Sequence, residues 1–303
     1  MENNTKLLSL CIPTNGVVDW IIPVIESIYN QDVDKSLFEV IVCDNGDKLD
    51  LQEAVKKYDY ENFHYYRTNA QGFTNQIEAF EKCNGRFCKM LNHRSQMLSG
   101  SIRALIELVE KYKDTKPIIY CAEGHGHGGE IIECKNTDKF VNSLSYWISW
   151  SAGTGAWRED IEEIKNKPID NIFPHTVFLF GIRKESEYVI WNKKYEVMAS
   201  DAGKGGYDVF YAFGVRLLDI ANRLRLDERI SDKTFSNFKQ ELYKFVCGLY
   251  LNEVVLPTTH TFVIKNIRQS MMVYYGDYYY HRMVLSSWIK SPIVYLRRLL
   301  HKK

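Results

Sequence analysis

The sequence predicts a doubly wound, mostly parallel α/β sheet followed by a helical C-terminal region. Two observations carry this. Up to residue 112, short apolar runs alternate with amphipathic stretches, and most of the runs end in a cluster of turn-forming residues. From Tyr207 onward the apolar residues recur at helical spacing instead. Strand–helix alternation at such short intervals needs right-handed crossovers, and these build a parallel sheet.

Taken in order, Leu7–Ile12 (LLSLCI) is a strand stopped by Pro13-Thr14-Asn15-Gly16, and Trp20–Ile28 is an amphipathic helix. Phe38–Cys43 (FEVIVC) is a second buried strand, ended by Asp44-Asn45-Gly46-Asp47. A helix over 51–58, a strand over 63–67 and a helix over 71–83 follow, the last carrying Phe73, Ile77 and Phe80 on one face. The pivot of the chain is 87–100, FCKMLNHRSQMLSG: a strand breaks at Asn92-His93-Arg94-Ser95, and a helix begins with Ser99 available as its cap. In open α/β sheets ligands bind beyond the carboxyl ends of the strands, which gives these four polar residues their interest.

Beyond residue 112 the pattern loosens. The runs 118–122 and 130–134 predict a hairpin around the tip 124–129 (GHGHGG), where His125 and His127 lack a third metal ligand. Residues 145–157 form an aromatic-rich loop entering a strand, 172–182 is apolar and fits helix or strand, and 201–206 (DAGKGG) is a mobile loop. Helices are expected over 207–224, 234–251, 260–275 and 281–301, with Pro292 kinking or restarting the last. This divides the chain into a domain of residues 1–205 and a helical region of 206–303.

A formal net charge of +1 over 303 residues argues against a nucleic-acid partner. The seven cysteines lie mostly inside apolar runs, as reduced core thiols do. The opening MENNTK shows no signal peptide, and no apolar run is long enough to span a bilayer, so a cytoplasmic protein is expected. The end of the chain combines apolar helical spacing with Lys290, Arg297, Arg298, Lys302 and Lys303, which suits a peripheral place on an anionic inner-membrane face. The plainer alternative packs that helix on the catalytic domain.

The series LLSLCIPTNG, FEVIVCDNGD, NAQGFTNQIEAFEKCNGRF and then the pivot resembles the family-2 glycosyltransferases of GT-A fold. The resemblance covers about the first 100 residues well and 145–185 loosely. It implies that Pro13 and Thr14 line a nucleotide pocket and that Asp44 reads the base or ribose. It also implies that Arg67, Gly72, Asn75, Asn92, His93 and Arg94 lie along the nucleotide and diphosphate. Gly153, Thr154 and Trp157 would border the acceptor. The family's general-base position falls near His175, with Asp170 and Asp160 in reserve. The plainer readings are a turn aspartate, a solvated arginine, core aromatics and a core histidine.

One departure stands out: the family's Asp-x-Asp metal motif falls on His93-Arg94-Ser95. A divalent Mg²⁺ or Mn²⁺ wants hard oxygen ligands. Arg94 can instead neutralise a diphosphate directly. The expectation is therefore an inverting, metal-independent transferase using a nucleoside diphosphate sugar and a saccharide or lipid-linked acceptor. The alternative is a non-catalytic nucleotide- or glycan-binding module.

Overall fold

The computed structural model describes residues 6–164, 167–199 and 203–300. The chain forms two compact units, Met1–Ser200 and Asp201–Lys303.

In the first unit, strands β1 (Leu8–Thr14), β2 (Phe38–Asp44), β3 (Phe63–Arg67) and β4 (Phe87–Met90) are parallel, and β8 (Gly155–Trp157) runs antiparallel at the edge. Their order is β3-β2-β1-β4-β8. Helix α1 (Val18–Tyr29) buries Ile21, Val24, Ile25 and Ile28, one stripe at helical spacing. Together with α4 (Ser101–Tyr112) it packs on the face carrying Leu8, Leu10, Ile12, Phe38, Val40 and Val42. Helices α2 (Asp50–Ala54) and α3 (Asn75–Glu81) complete the crossovers, and α3 contacts β1 and β2. All seven cysteines are free thiols, six of them buried.

Several elements differ from the expectation. Ser99 is exposed and does not cap α4; Gly100, at φ 78°, makes the turn into it. A short strand β5 (Ser95–Met97) follows the pivot and pairs antiparallel with β10 (Glu196–Met198). The runs β6 (Ile118–Cys121) and β7 (Ile131–Cys134) do not form a hairpin, because β9 (Tyr188–Trp191) lies between them, parallel to β6 and antiparallel to β7. That strand is four residues long and wholly buried. The loop 124–129 is held by Asn192, whose side chain bonds the amide and the carbonyl of Gly126, while His125 stacks on Trp147 at 3.4 Å. Helix α5 (Thr137–Leu144) packs on β7 and β9, and α6 (Arg158–Ile164) and α7 (Pro174–Gly181) both contact α3, so the ambiguous run 172–182 is helical.

The second unit holds α8 (Val209–Tyr211) and α9 (Leu217–Leu226) joined through a π turn, then α10 (Asp232–Tyr250), α11 (Ile267–Tyr274) and α12 (Asp277–Leu300). Gly205–Asp208 is a strand, β11, paired with β12 (Thr261–Val263), so the loop expected over 201–206 and the start of the helix expected over 260–275 are both partly strand. Asp201 and Ala202 of that loop, and Lys302 and Lys303, lie outside the described residues.

Helix α12 runs through Pro292 without breaking. Proline removes the amide that would bond the carbonyl of residue 288. The Ser291 hydroxyl donates to that carbonyl instead, at 2.9 Å. Pro292→Ala should therefore keep the fold and raise the unfolding free energy of this unit by on the order of 1–3 kcal/mol, less than an uncompensated helix proline costs. Urea unfolding followed by circular dichroism checks this.

Candidate functional site

In the order β3-β2-β1-β4, the chain leaves β1 for β2 on one side and later returns to β4 on the other. The crevice between the carboxyl ends of β1 and β4 is thus a topological switch point, where open α/β sheets bind ligands. Four turns gather along this edge: Pro13–Gly16, Asp44–Gly46, Arg67–Thr68 and Asn92–Ser95.

On the β2 side, Asp44 is fully buried. Its Oδ2 accepts from the Tyr65 hydroxyl (2.6 Å) and the Arg67 guanidinium (2.9 Å), and its Oδ1 accepts from the amide of Gly46 (2.8 Å). A Cβ on Gly16 would sit 2.9 Å from Oδ1, and one on Gly46 would strike the Asn15 carbonyl, so both turns need glycine. Asn75, also buried, donates to the carbonyls of Thr14 (3.3 Å) and Cys43 (2.8 Å) and accepts from Thr68 (2.7 Å). Asp44 and Asn75 thus tie strand ends together from below. Arg67 and Gly72 are exposed, though Arg67 also donates to the carbonyls of Gly46 and Lys48.

On the β4 side, Thr14 Oγ1 meets His93 Nδ1 at 3.0 Å and accepts from the Gly16 amide at 3.2 Å. The His93 ring meets Trp20 edge-on, with centroids 5.3 Å apart, and burial, aided by Arg94, pushes its pKa down to about 4. The Arg94 guanidinium lies 3.4 Å over the same indole and is 8% exposed. Asn92 Oδ1 accepts from the Arg94 amide (3.0 Å), and the Arg94 carbonyl accepts from Ala199 (3.0 Å). Trp20 is a member of the site that sequence reading passed over as an ordinary helix residue. This donor set is cationic and aromatic. Asn92, a neutral His93 bonded to Thr14, Arg94 and Ser95 offer no carboxylate, so they do not fit a hard divalent cation. Among the described residues no group of three His, Cys, Asp or Glu is placed to hold a metal.

The acceptor-side residues are packed more tightly than a sugar site needs. Trp157 is 1% exposed, donates its indole N–H to the Pro117 carbonyl (2.8 Å) and packs edge-on to Phe87. It is a core residue, which corrects its place at an acceptor surface. Gly153 is buried against Tyr120, whose ring a Cβ would enter, and Thr154 is buried beside it.

The three expected proton acceptors are committed elsewhere. His175 Nδ1 faces Gln76 Oε1 (2.8 Å), Nε2 faces the Ser149 carbonyl (2.9 Å), and burial pushes the ring down to about 4. It joins α7 to α3 as a core histidine. Asp170 closes the turn that leads into α7, accepting from the amides of Ile172 (2.8 Å) and Phe173 (2.6 Å). Asp160 is paired two-pronged with Arg183, at 2.9 Å on each oxygen.

Beneath the pivot lies a charged cluster that sequence reading did not single out. Lys89, fully buried in β4, donates to the carbonyls of Met90 (2.7 Å) and Ala152 and to the Tyr195 hydroxyl (3.0 Å). A lysine inside the apolar run FCKM was the available signal. Glu196 is 3% exposed, and among the described residues neither of its oxygens has a hydrogen-bond partner of normal geometry. Burial pushes its carboxyl up to about 7, opposed by Lys89 and the Ser95 hydroxyl and reinforced by Glu123.

The sequence model described as "Glycosyl transferase family 2" matches residues 9–185, more than half of the chain, and takes in β1, the pivot and α7. The chain belongs to glycosyl transferase family 2. No curated protein sequence matches this family-2 chain significantly. Among solved structures, S. aureus TarS 1-349 in complex with UDP-GlcNAc is similar at a TM-score of 0.56 and 13% identity, covering 80% of this chain and 72% of that one. The mannosyltransferase PcManGT from Pyrobaculum calidifontis, in complex with GDP-Man and Mn²⁺, is similar at 0.52 and 13%, covering 95% and 87%. Against a longer TarS structure the chain spans 43% of that chain's length. At these identities the likeness concerns the GT-A fold.

The Glu196 carboxyl binds its proton more tightly when folded than when unfolded, since its pKa rises from 4.5 to about 7. The stability this lends is complete below pH 4.5 and is lost as pH rises through 7. Between pH 4.5 and 8 the wild type should lose about 3 kcal/mol relative to Glu196→Gln, from roughly 1.4 kcal/mol per unit. Denaturant unfolding of both proteins across that range measures the difference.

Proposed function

We propose that this family-2 chain transfers a hexosyl group, with inversion, from a nucleoside diphosphate sugar to a hydroxyl of a saccharide or lipid-linked acceptor. Cell-surface polysaccharide synthesis, carried out peripherally at the inner membrane face, is the setting of this reading. The observation that carries it is the β1–β4 switch point, where Thr14, His93, Trp20 and Arg94 converge on a family-2 fold. Similar folds in TarS and PcManGT hold UDP-GlcNAc and GDP-Man, which supports a donor of the same class here.

In this reading the nucleoside lies over the Pro13–Thr14 turn and the Asp44–Arg67 pair, with the Gly72 loop and the Asn75-tethered strand ends beside it. The diphosphate lies at Asn92–Arg94. Transfer forms the bond from the acceptor oxygen to the anomeric carbon as the bond from that carbon to the diphosphate oxygen breaks. The acceptor hydroxyl gives up its proton to solvent in the same step, and the nucleoside diphosphate leaves as the anion. Charge grows on the departing diphosphate, and a fixed guanidinium stabilises such charge most where water is excluded. Arg94, stacked and largely buried, is preorganised for that role, and the Gly153–Thr154 segment borders the acceptor. The step needs no metal.

A second reading is favoured by one observation: His175, Asp170 and Asp160 are all bonded within the protein. On that reading the chain binds a nucleotide or glycan without turning it over.

Sugar transfer or donor hydrolysis, assayed over UDP-, GDP-, CMP- and dTDP-sugars with EDTA present, separates the two. Turnover should survive chelation, and Arg94→Ala should lower it on the order of 10²-fold or more while the fold is kept, as losing one transition-state donor does. Activity that disappears in EDTA and returns with Mn²⁺ would refute the metal-free mechanism. Tight binding without turnover under any metal would establish the binding module.

A further inference from the structure

Most of the apolar residues of α12 do not cover a core. Its inward side is marked by Met283 and Ser287, both buried. At 100° per residue, Leu285 (64% exposed), Trp288 (59%), Ile289 (66%), Ile293 (58%), Leu296 (59%) and Leu300 (74%) fall on the opposite side. They form one stripe on the outer face, continuous past Pro292 and roughly 20 Å long at 1.5 Å per residue. Lys290 and Arg297, both exposed and seven residues apart, lie between one edge of that stripe and the inward side. Beyond Asp277 the helix carries no carboxylate. No helix among the described residues is long and apolar enough to cross a membrane.

The geometry points to α12 as a docking face for an anionic lipid surface, on which it lies flat. Trp288 and its aliphatic neighbours would enter the boundary between headgroups and acyl chains, and Lys290 and Arg297 would meet lipid phosphates. An outward apolar stripe edged by cations and free of acids is what such a surface selects. A second copy of the helix fits less well. Two copies packed antiparallel through this stripe would set Lys290 and Arg297 against the same cations of the partner, with no acid between them. This inference deepens the membrane-side reading of the function, and it rests on that reading only for its purpose, since the helix itself supplies the argument.

The test is co-sedimentation of the full chain, without donor or acceptor, on vesicles of phosphatidylcholine alone and of equimolar phosphatidylcholine and phosphatidylglycerol. The wild type should partition at least about tenfold more strongly onto the anionic vesicles, and added salt should weaken it. Ile289→Glu/Ile293→Glu should reduce binding to both kinds at least about tenfold through loss of apolar burial. Lys290→Glu/Arg297→Glu should remove the anionic preference and the salt dependence. Circular dichroism checks that both variants stay folded. Absent binding, or binding that neither pair alters, would overturn the inference. So would a wild-type dimer in light scattering that Ile289→Glu/Ile293→Glu dissociates. Because no sugar is present, a failure here leaves the transferase reading standing, and a protein that binds vesicles but turns over no donor refutes only that reading.

Discussion

The ligand-facing edge of this sheet depends on a carboxylate that never reaches solvent. Asp44 ends β2 fully buried, and its two oxygens gather Tyr65, Arg67 and the Gly46 amide, while Gly16 packs against it. A buried carboxylate is costly unless it is paired and hydrogen-bonded, and removing a partner leaves that cost exposed. The turns after β1, β2 and β3 are therefore fixed to one another before any ligand arrives. Asn75 adds a second tie, from α3 to the last carbonyls of β1 and β2. Preorganisation of this sort lowers what binding must spend on ordering loops.

Against that rigid side stands a pivot of unusual charge. Where the family resemblance implies carboxylates around a metal, β4 hands over to a neutral histidine and an arginine stacked on one tryptophan. In the proposed reading, a cation held where the diphosphate would lie takes by a side chain the place of a bound metal. The buried Lys89, bonded to carbonyls and to Tyr195 below the pivot, adds positive charge to the same strand. Glu196 and Glu123 are the carboxyls of that layer, and burial pushes the Glu196 carboxyl up to about 7 against the pull of Lys89.

How much was legible in the sequence follows from which signals are local. Strands β1, β2 and β4 are buried on both faces, so they read as unbroken apolar runs that stop at turn residues. The polar strand ends could be placed from those runs alone, whereas the β1–β4 crevice follows from the strand order. The family-2 resemblance of the first 100 residues was likewise written in linear order. Three-residue strands such as β5 and β10 carry too little pattern, and β9 takes its place between β6 and β7 through pairing across distant segments. Ser291 rescues the proline in α12 by a bond that composition does not reveal. Roles failed where they depend on three-dimensional partners. His175 looked like a base until Gln76 and Ser149 took both nitrogens, and Trp157 looked like a sugar platform until Phe87 and Pro117 enclosed it.

The central claim is that a nucleoside diphosphate binds at the β1–β4 crevice without a metal. Amide hydrogen exchange of the whole chain with and without UDP, GDP, CDP or dTDP, in chelator, tests it most directly. One of these nucleotides should slow exchange in the turns 13–16, 44–46 and 92–95 and leave α10 and α12 unchanged. Protection that appears only when Mn²⁺ or Mg²⁺ is supplied, or that maps away from those turns, would contradict the account.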